Sequence, residues 1–234
     1  MFFKKLSGYH LKYFALFTML LDHIGLLFHA LLPEIISVSF RMAGRLSFPL
    51  FCFLLSEGFF YSRDRDKYKK RLFLFALLSE IPFDLAFHSL SSLDEILAEQ
   101  NVFFTLFFGF LAMEQLEKWE KAGGFPQKLG VFIFFSCLNE IFRADYGAAG
   151  ILCILLFYSF RKKSTFLSFS SIMISLLPLA VTAFPSFPLQ LCSLFALVPI
   201  LCYNGQKGQG SRYFFYLFYP VHLLFLAWLS WFLH

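Results

Sequence analysis

The chain has 234 residues, 59% hydrophobic and only 15% charged, with 37 phenylalanines, a mean hydropathy of +0.68 and a formal net charge of +5. That excludes an ordinary soluble domain, which is about half apolar and a quarter charged. The apolar residues run in blocks instead of alternating, which excludes a β-barrel and predicts an all-α, polytopic helical membrane protein, one integral-membrane domain over residues 1–234.

Nine apolar blocks follow in chain order, at 11–32, 43–62, 71–88, 102–117, 128–143, 147–160, 164–184, 187–203 and 213–233. The first, LKYFALFTMLLDHIGLLFHALL, is long enough to span a bilayer and carries Asp22 and His23 at its middle. It reads as a span and not as a cleaved leader, being too long and lacking a small-residue cleavage site. The fifth and sixth blocks are short, and both span only if Arg143 to Gly147 makes a tight turn. Cys52, Cys137, Cys153, Cys192 and Cys202 lie singly within apolar runs, so neither a disulfide framework nor a metal site is expected.

Loop charge supports this path. With the N-terminus cytoplasmic and the C-terminus outside, 17 of the 20 Lys and Arg residues fall on the inner face, leaving Arg41, Arg45 and Arg143 outside. The outer loop 89–101 has Asp94, Glu95 and Glu99 but no Lys or Arg. The positive charge is therefore topological and not a nucleic-acid footprint, and a multi-pass position in the cell (plasma or inner) membrane is expected. The 63–71 cluster RDRDKYKKR reads first as a stop facing anionic lipid and second as a dock for a phosphate-rich ligand.

Polar residues inside the spans carry the functional signal. An ionisable group at mid-membrane costs about 3 kcal/mol on insertion scales, so Asp22 and His23 side by side point to chemistry. Neighbours on a helix point about 100° apart, so Asp22 is free to face a cavity or an arginine instead of His23. His23 is the leading general-base candidate and His222, beside Pro220, the second. Arg41 and Arg45 share a face, as do Glu80 and Asp84. With Glu57, Asp145 and Tyr146 these predict one polar cavity reachable from outside. The plainer reading is interhelical salt bridges, and for Glu140 with Arg143 it is the preferred one.

The stretches LDHIG (21–25), GRLSFPLFCFLLSEGF (44–59), KYKKRLFLFALLSEIPFDLAF (67–87), NVFFTLFFG (101–109), DYGAAG (145–150) and YFFYLFYPVHLL (213–224) resemble the TraX family, over nearly the whole chain and in the same order. That family is named for a membrane protein associated with N-terminal acetylation of conjugative pilin. The eleven-residue spacing of Lys12 and His23, followed by LSEGF and a basic cluster, is also similar to the acyltransferase 3 family, with Lys12 in place of an arginine. The resemblance implies an acyltransferase, with acetyl-CoA or another acyl-CoA as cytoplasmic donor substrate and no tightly bound cofactor. The acceptor would be an amine or hydroxyl at the outer side: a pilin or other protein N-terminus, a glycan or a lipid. On that reading His23 accepts the acceptor's proton or takes the acyl group itself, and Asp22 orients it. Arg45 or His222 steadies the oxyanion, and Lys12, Arg63, Lys69, Lys70 and Arg71 meet CoA phosphates.

Two other classes compete. A proton-coupled secondary transporter would use the same buried acids and histidines, although the chain has no internal duplication. A scaffold without turnover would tolerate loss of His23. An intramembrane protease is disfavoured, since neither GxGD nor GxSxG occurs.

Overall fold

The computed structural model describes residues 5–88, 99–119, 124–161, 173–174, 176–177 and 187–233. Among these residues the regular structure is helical: α1 Gly8–Leu27, α2 Glu34–Gly44, α3 Ser47–Tyr61, α4 Arg65–Phe87, α5 Val102–Trp119, α6 Phe125–Ile141, α7 Gly147–Phe160, α8 Phe187–Leu191, α9 Leu197–Leu201 and α10 Arg212–Leu233. The two backbone bridges outside helices, Leu6 with Tyr203 and Gln100 with Ala144, are isolated.

Local chemistry starts these helices. Ser7 caps α1, accepting from the His10 amide, while the His10 ring accepts from the Ser7 amide at 3.1 Å. Asp64 caps α4 by accepting from the Lys67 amide at 2.9 Å. The expected tight turn before α7 is present: Arg143 and Tyr146 take left-handed backbone angles, and Asn139 donates to the Gly147 carbonyl at 2.9 Å. Glu140 accepts from the Ala148 amide at 2.8 Å, so it braces this turn and forms none of the expected ion pairing with Arg143.

The helices pack α1 on α2, α3 and α10, α4 on α5 and α10, and α7 on α3, α5 and α6. Small residues allow close approach. A Cβ on Gly109 would strike Ile154 of α7, and one on Gly44 would strike the Asp22 side chain. The outward faces are apolar: Leu74, Leu78, Ile81 and Leu85 form an exposed stripe on α4, and Leu217, Val221, Leu224 and Trp228 another on α10. Stripes of this kind suit a hydrocarbon surround. By length and composition, the continuous stretch Glu34–Tyr61 and the helix Tyr213–Leu233 can cross a bilayer.

Several expected boundaries change. The block at 43–62 is not one helix but the end of α2, a turn at Arg45–Leu46, and α3. The block at 187–203 is broken into α8, a 3-10 turn at Cys192–Ala196, and α9. The block at 164–184 and the acidic loop lie largely outside the described residues. Segments rich in Lys and Arg converge at one end of the bundle. Leu6 pairs with the 202–204 backbone, Arg65 with Glu117, and Arg161 with Glu57.

Candidate functional site

The site is built where α1, α2 and α10 meet. Asp22 lies on the face of α1 that α2 covers, and it is 9% exposed. Arg41, near the end of α2, reaches it at 3.0 Å, and Arg45, in the turn after α2, pairs with the same carboxylate oxygen. Arg45 keeps helical backbone angles four residues after Arg41, so both guanidinium groups leave the same face of α2 toward α1. Gly44 completes the contact, since only a residue without a side chain fits against Asp22 there. Asp22 therefore serves the arginines and does not bond its neighbour His23, the alternative left open by the 100° offset.

His23 points instead at α10. Its Nδ1 lies 2.8 Å from His222 Nε2, with the two rings parallel to within 3°. His222 Nδ1 lies 2.7 Å from the Phe218 carbonyl oxygen. A carbonyl only accepts, so His222 Nδ1 carries the proton and its Nε2 accepts from His23 Nδ1–H. For a neutral pair, the remaining lone pair sits on His23 Nε2. Phe87 of α4 meets the His23 ring edge-on at 5.2 Å, and Phe218 stacks on His222 at 4.9 Å. This clamp fixes the orientation of a base and its tautomer together.

An apolar groove of about 620 Å³, open to the outer surface of the bundle, lies between α1 and α10, lined by Leu20, Ile24, Phe28, Phe218 and the outward-facing Val221, with His222 the polar group on its wall. It is large enough for an acyl chain or an apolar peptide segment. On the other flank, Tyr146 stacks face to face on Phe48, with ring centroids 3.6 Å apart, and Thr105 donates to the Asp145 carbonyl. Asp145 and Tyr146 lie within electrostatic reach of Arg45.

The remaining expected residues divide. Glu80 and Asp84 form a second cluster on α4: Asn101 donates to Glu80 and to the Ala76 carbonyl, and His88 approaches Asp84 at 3.4 Å. Tyr219, on the same helix as His222, stands within electrostatic reach of both Glu80 and Asp145. Glu57 does not belong to the cavity. It pairs with Arg161 at 2.6 Å at the basic end of the bundle. Lys69 is held by Glu114 at 2.9 Å, and Arg63 and Lys70 are exposed. Lys12 lies over the Tyr9 and Phe215 rings and Arg71 over Tyr68 and Tyr216. Sequence reasoning missed Asn101, Gly44 and Tyr219. Tyr219 sits in the quoted FYPVH string, three residues before His222 on one helix face, and that spacing was the available signal.

Comparison with known proteins now adds to this geometry. No solved structure matches the chain. A protein named "Probable fimbrial assembly protein FimC, serogroup H1" from Dichelobacter nodosus is 33% identical over 170 residues, covering 68% of this chain and 66% of that protein. The chain thus spans about two thirds of that relative's length. The family model described as TraX protein matches residues 7–230, which takes in every helix placed around the imidazole pair, and the chain belongs to the TraX family.

Proposed function

We propose that this TraX protein is a multi-pass membrane acyltransferase of the cell membrane, crossing it nine times with the N-terminus inside and the C-terminus outside. It moves an acyl group, acetyl in the first instance, from cytoplasmic acyl-CoA to an amine or hydroxyl at the outer side. The relative's name, a fimbrial assembly protein, is in keeping with a fimbrial subunit as the acceptor, and we take its N-terminal amine as the acceptor group. The observation that carries the reading is the chain from Phe218 through His222 to His23, which leaves His23 Nε2 as a positioned proton acceptor.

In the direct route the acceptor's N–H or O–H proton goes to His23 Nε2 as its heteroatom bonds to the thioester carbonyl carbon. The carbon–sulfur bond then breaks, and the proton passes from His23 to the departing CoA thiolate. His222 holds the base in register and Arg45 lies beside it as a cation for developing oxyanion charge. The apolar groove against His222 suits the acyl chain or the apolar part of the acceptor. The spacing of Lys12 and His23 that resembles acyltransferase 3 is in keeping with this route.

The test is CoA release from acetyl-CoA by purified protein, with and without an acceptor peptide. Release by the wild type that falls at least a hundredfold in His23→Ala supports the reading. Equal release by both proteins, or none from either, refutes it. Labelled acetyl on His23 without acceptor would replace direct transfer by a two-step route. A second reading, proton-coupled transport, draws on Glu80 Oε1, buried without a hydrogen-bond partner, and on Asp84, whose Oδ1 is paired only with His88 at 3.4 Å among the described residues. Flux in vesicles that survives His23→Ala but needs Glu80 would favour it.

A further inference from the structure

Among the described Lys and Arg side chains, seven are withdrawn from full exposure: Lys12, Arg41, Arg45, Arg65, Lys69, Arg71 and Arg161. Five of them carry a carboxylate partner within 4 Å; Lys12 and Arg71 do not. Lys12 lies within electrostatic reach of Arg71 and of Lys207, across α1, α4 and the loop before α10, and its ammonium and the Arg71 guanidinium stand over the neighbouring rings of Phe215 and Tyr216. Arg71 Nε is buried without a hydrogen-bond partner. The carboxylate of Asp64 feels Arg71 but is bound to Lys67 at 2.9 Å and to the start of α4. Like charges gathered beside aromatic rings, with an unused donor and no carboxylate paired to them among the described residues, leave a site short of an anion.

We infer that Lys12, Arg71 and Lys207 form a phosphate-binding site at the basic end of the bundle, for the phosphoryl groups of the acyl donor. The identification of the donor rests on the acyltransferase reading; the site itself does not. Lys12 and His23 share α1, and eleven residues of helix put about 16 Å between them. That separation is comparable to the reach of an extended pantetheine arm, so a nucleotide held at Lys12 would deliver its thioester near the imidazole pair. Tyr9, Tyr68 and Tyr216 around the cations offer flat surfaces beside the phosphates. Lys69 drops out of the donor site because Glu114 holds it, and Arg63 and Lys70 drop out because they are exposed without the electrostatic proximity to Lys12 that the equally exposed Lys207 has.

An anionic lipid headgroup presents the same chemistry, and the test separates the two sources. Full-length protein in neutral detergent is titrated with CoA, dephospho-CoA and inorganic pyrophosphate. In parallel it is placed in nanodiscs of phosphatidylcholine with or without phosphatidylglycerol, and retention of the anionic lipid is measured. Lys12→Gln and Arg71→Gln should each weaken CoA binding tenfold or more, Arg71→Lys should restore part of it, and the exposed control Lys128→Gln should change nothing. Circular dichroism and thermal melts on each variant show that it is folded. No CoA binding, with phosphatidylglycerol retention that both glutamine variants abolish, keeps the site and assigns it to lipid. CoA and lipid binding unaffected in both folded variants overturns the site. If those variants also keep the wild-type KM for acetyl-CoA, the site fails while the acyltransferase reading stands.

Discussion

Replacing Asp22 by asparagine keeps its shape and removes the charge that two arginines share. Arg45 and Arg41 are only 10% and 24% exposed at the side chain, and Asp22 only 13%, so solvent does little to replace the lost partner. Removing one member of a buried ion pair costs about 3–5 kcal/mol, because the other charge stays behind unpaired. The partial exposure of Arg41 places the expected loss at the lower end, about 3 kcal/mol. For a chain of this size that corresponds to about 6–12 °C in melting temperature. The assay is a reversible melt in detergent, run as a cycle with Arg41→Gln and the double variant. Arg41→Gln in the Asp22→Asn background should be nearly neutral, since it then removes an uncompensated charge. A loss below about 1 kcal/mol for Asp22→Asn, with additive doubles, would mean that the three side chains act as an exposed, screened cluster, and would refute the reasoning.

Gly44→Ala should cost about 1–3 kcal/mol by overpacking, because its Cβ would meet the Cβ and Cγ of Asp22, which have nowhere flexible to go; an unchanged melting temperature would contradict the observed α1–α2 contact. His222→Phe leaves His23 Nδ1–H without an acceptor and should cut CoA release about tenfold or more while altering its pH profile. His222→Gln, which keeps an acceptor oxygen, should retain more activity, and equal loss in both would argue for a merely structural histidine. The Lys67 amide, followed by the Lys67 side chain, holds the Asp64 carboxyl below its usual 3.8. Its contribution to α4 is therefore complete above that pH and is lost as pH falls through the lowered value. Hydrogen exchange at the first-turn amides of α4 should quicken in that acid window in the wild type and show no such dependence in Asp64→Asn, which keeps a cap without the titration.

Much of the site was legible because polar residues are conspicuous inside apolar blocks. Asp22, His23, Arg41, Arg45 and His222 each stand out against apolar neighbours, and the fold brings all five together. Glu57 stood out equally, yet it belongs to the basic end with Arg161, because depth along a helix says nothing about which neighbour faces it. Lys207 and Asn101 gave no signal. One sits in a glycine-rich loop among ordinary solvated residues, and the other looks like a loop asparagine until Glu80 and the Ala76 carbonyl turn toward it.

The amino-acid order by itself determined the helical class, the apolar blocks, the segregation of basic charge and the presence of an acid and an imidazole in the first apolar block. These are one-dimensional properties, set by runs of residues and by the cost of leaving polar groups in hydrocarbon. Which partner each polar group takes was decided by tertiary structure alone. The packing of α2 on α1 brings the face shared by two guanidinium groups to one carboxylate, and the packing of α10 on α1 joins His222 to His23 across 199 positions. Side-chain direction is shared out by helix rotation and crossing, and these depend on every contact in the bundle at once.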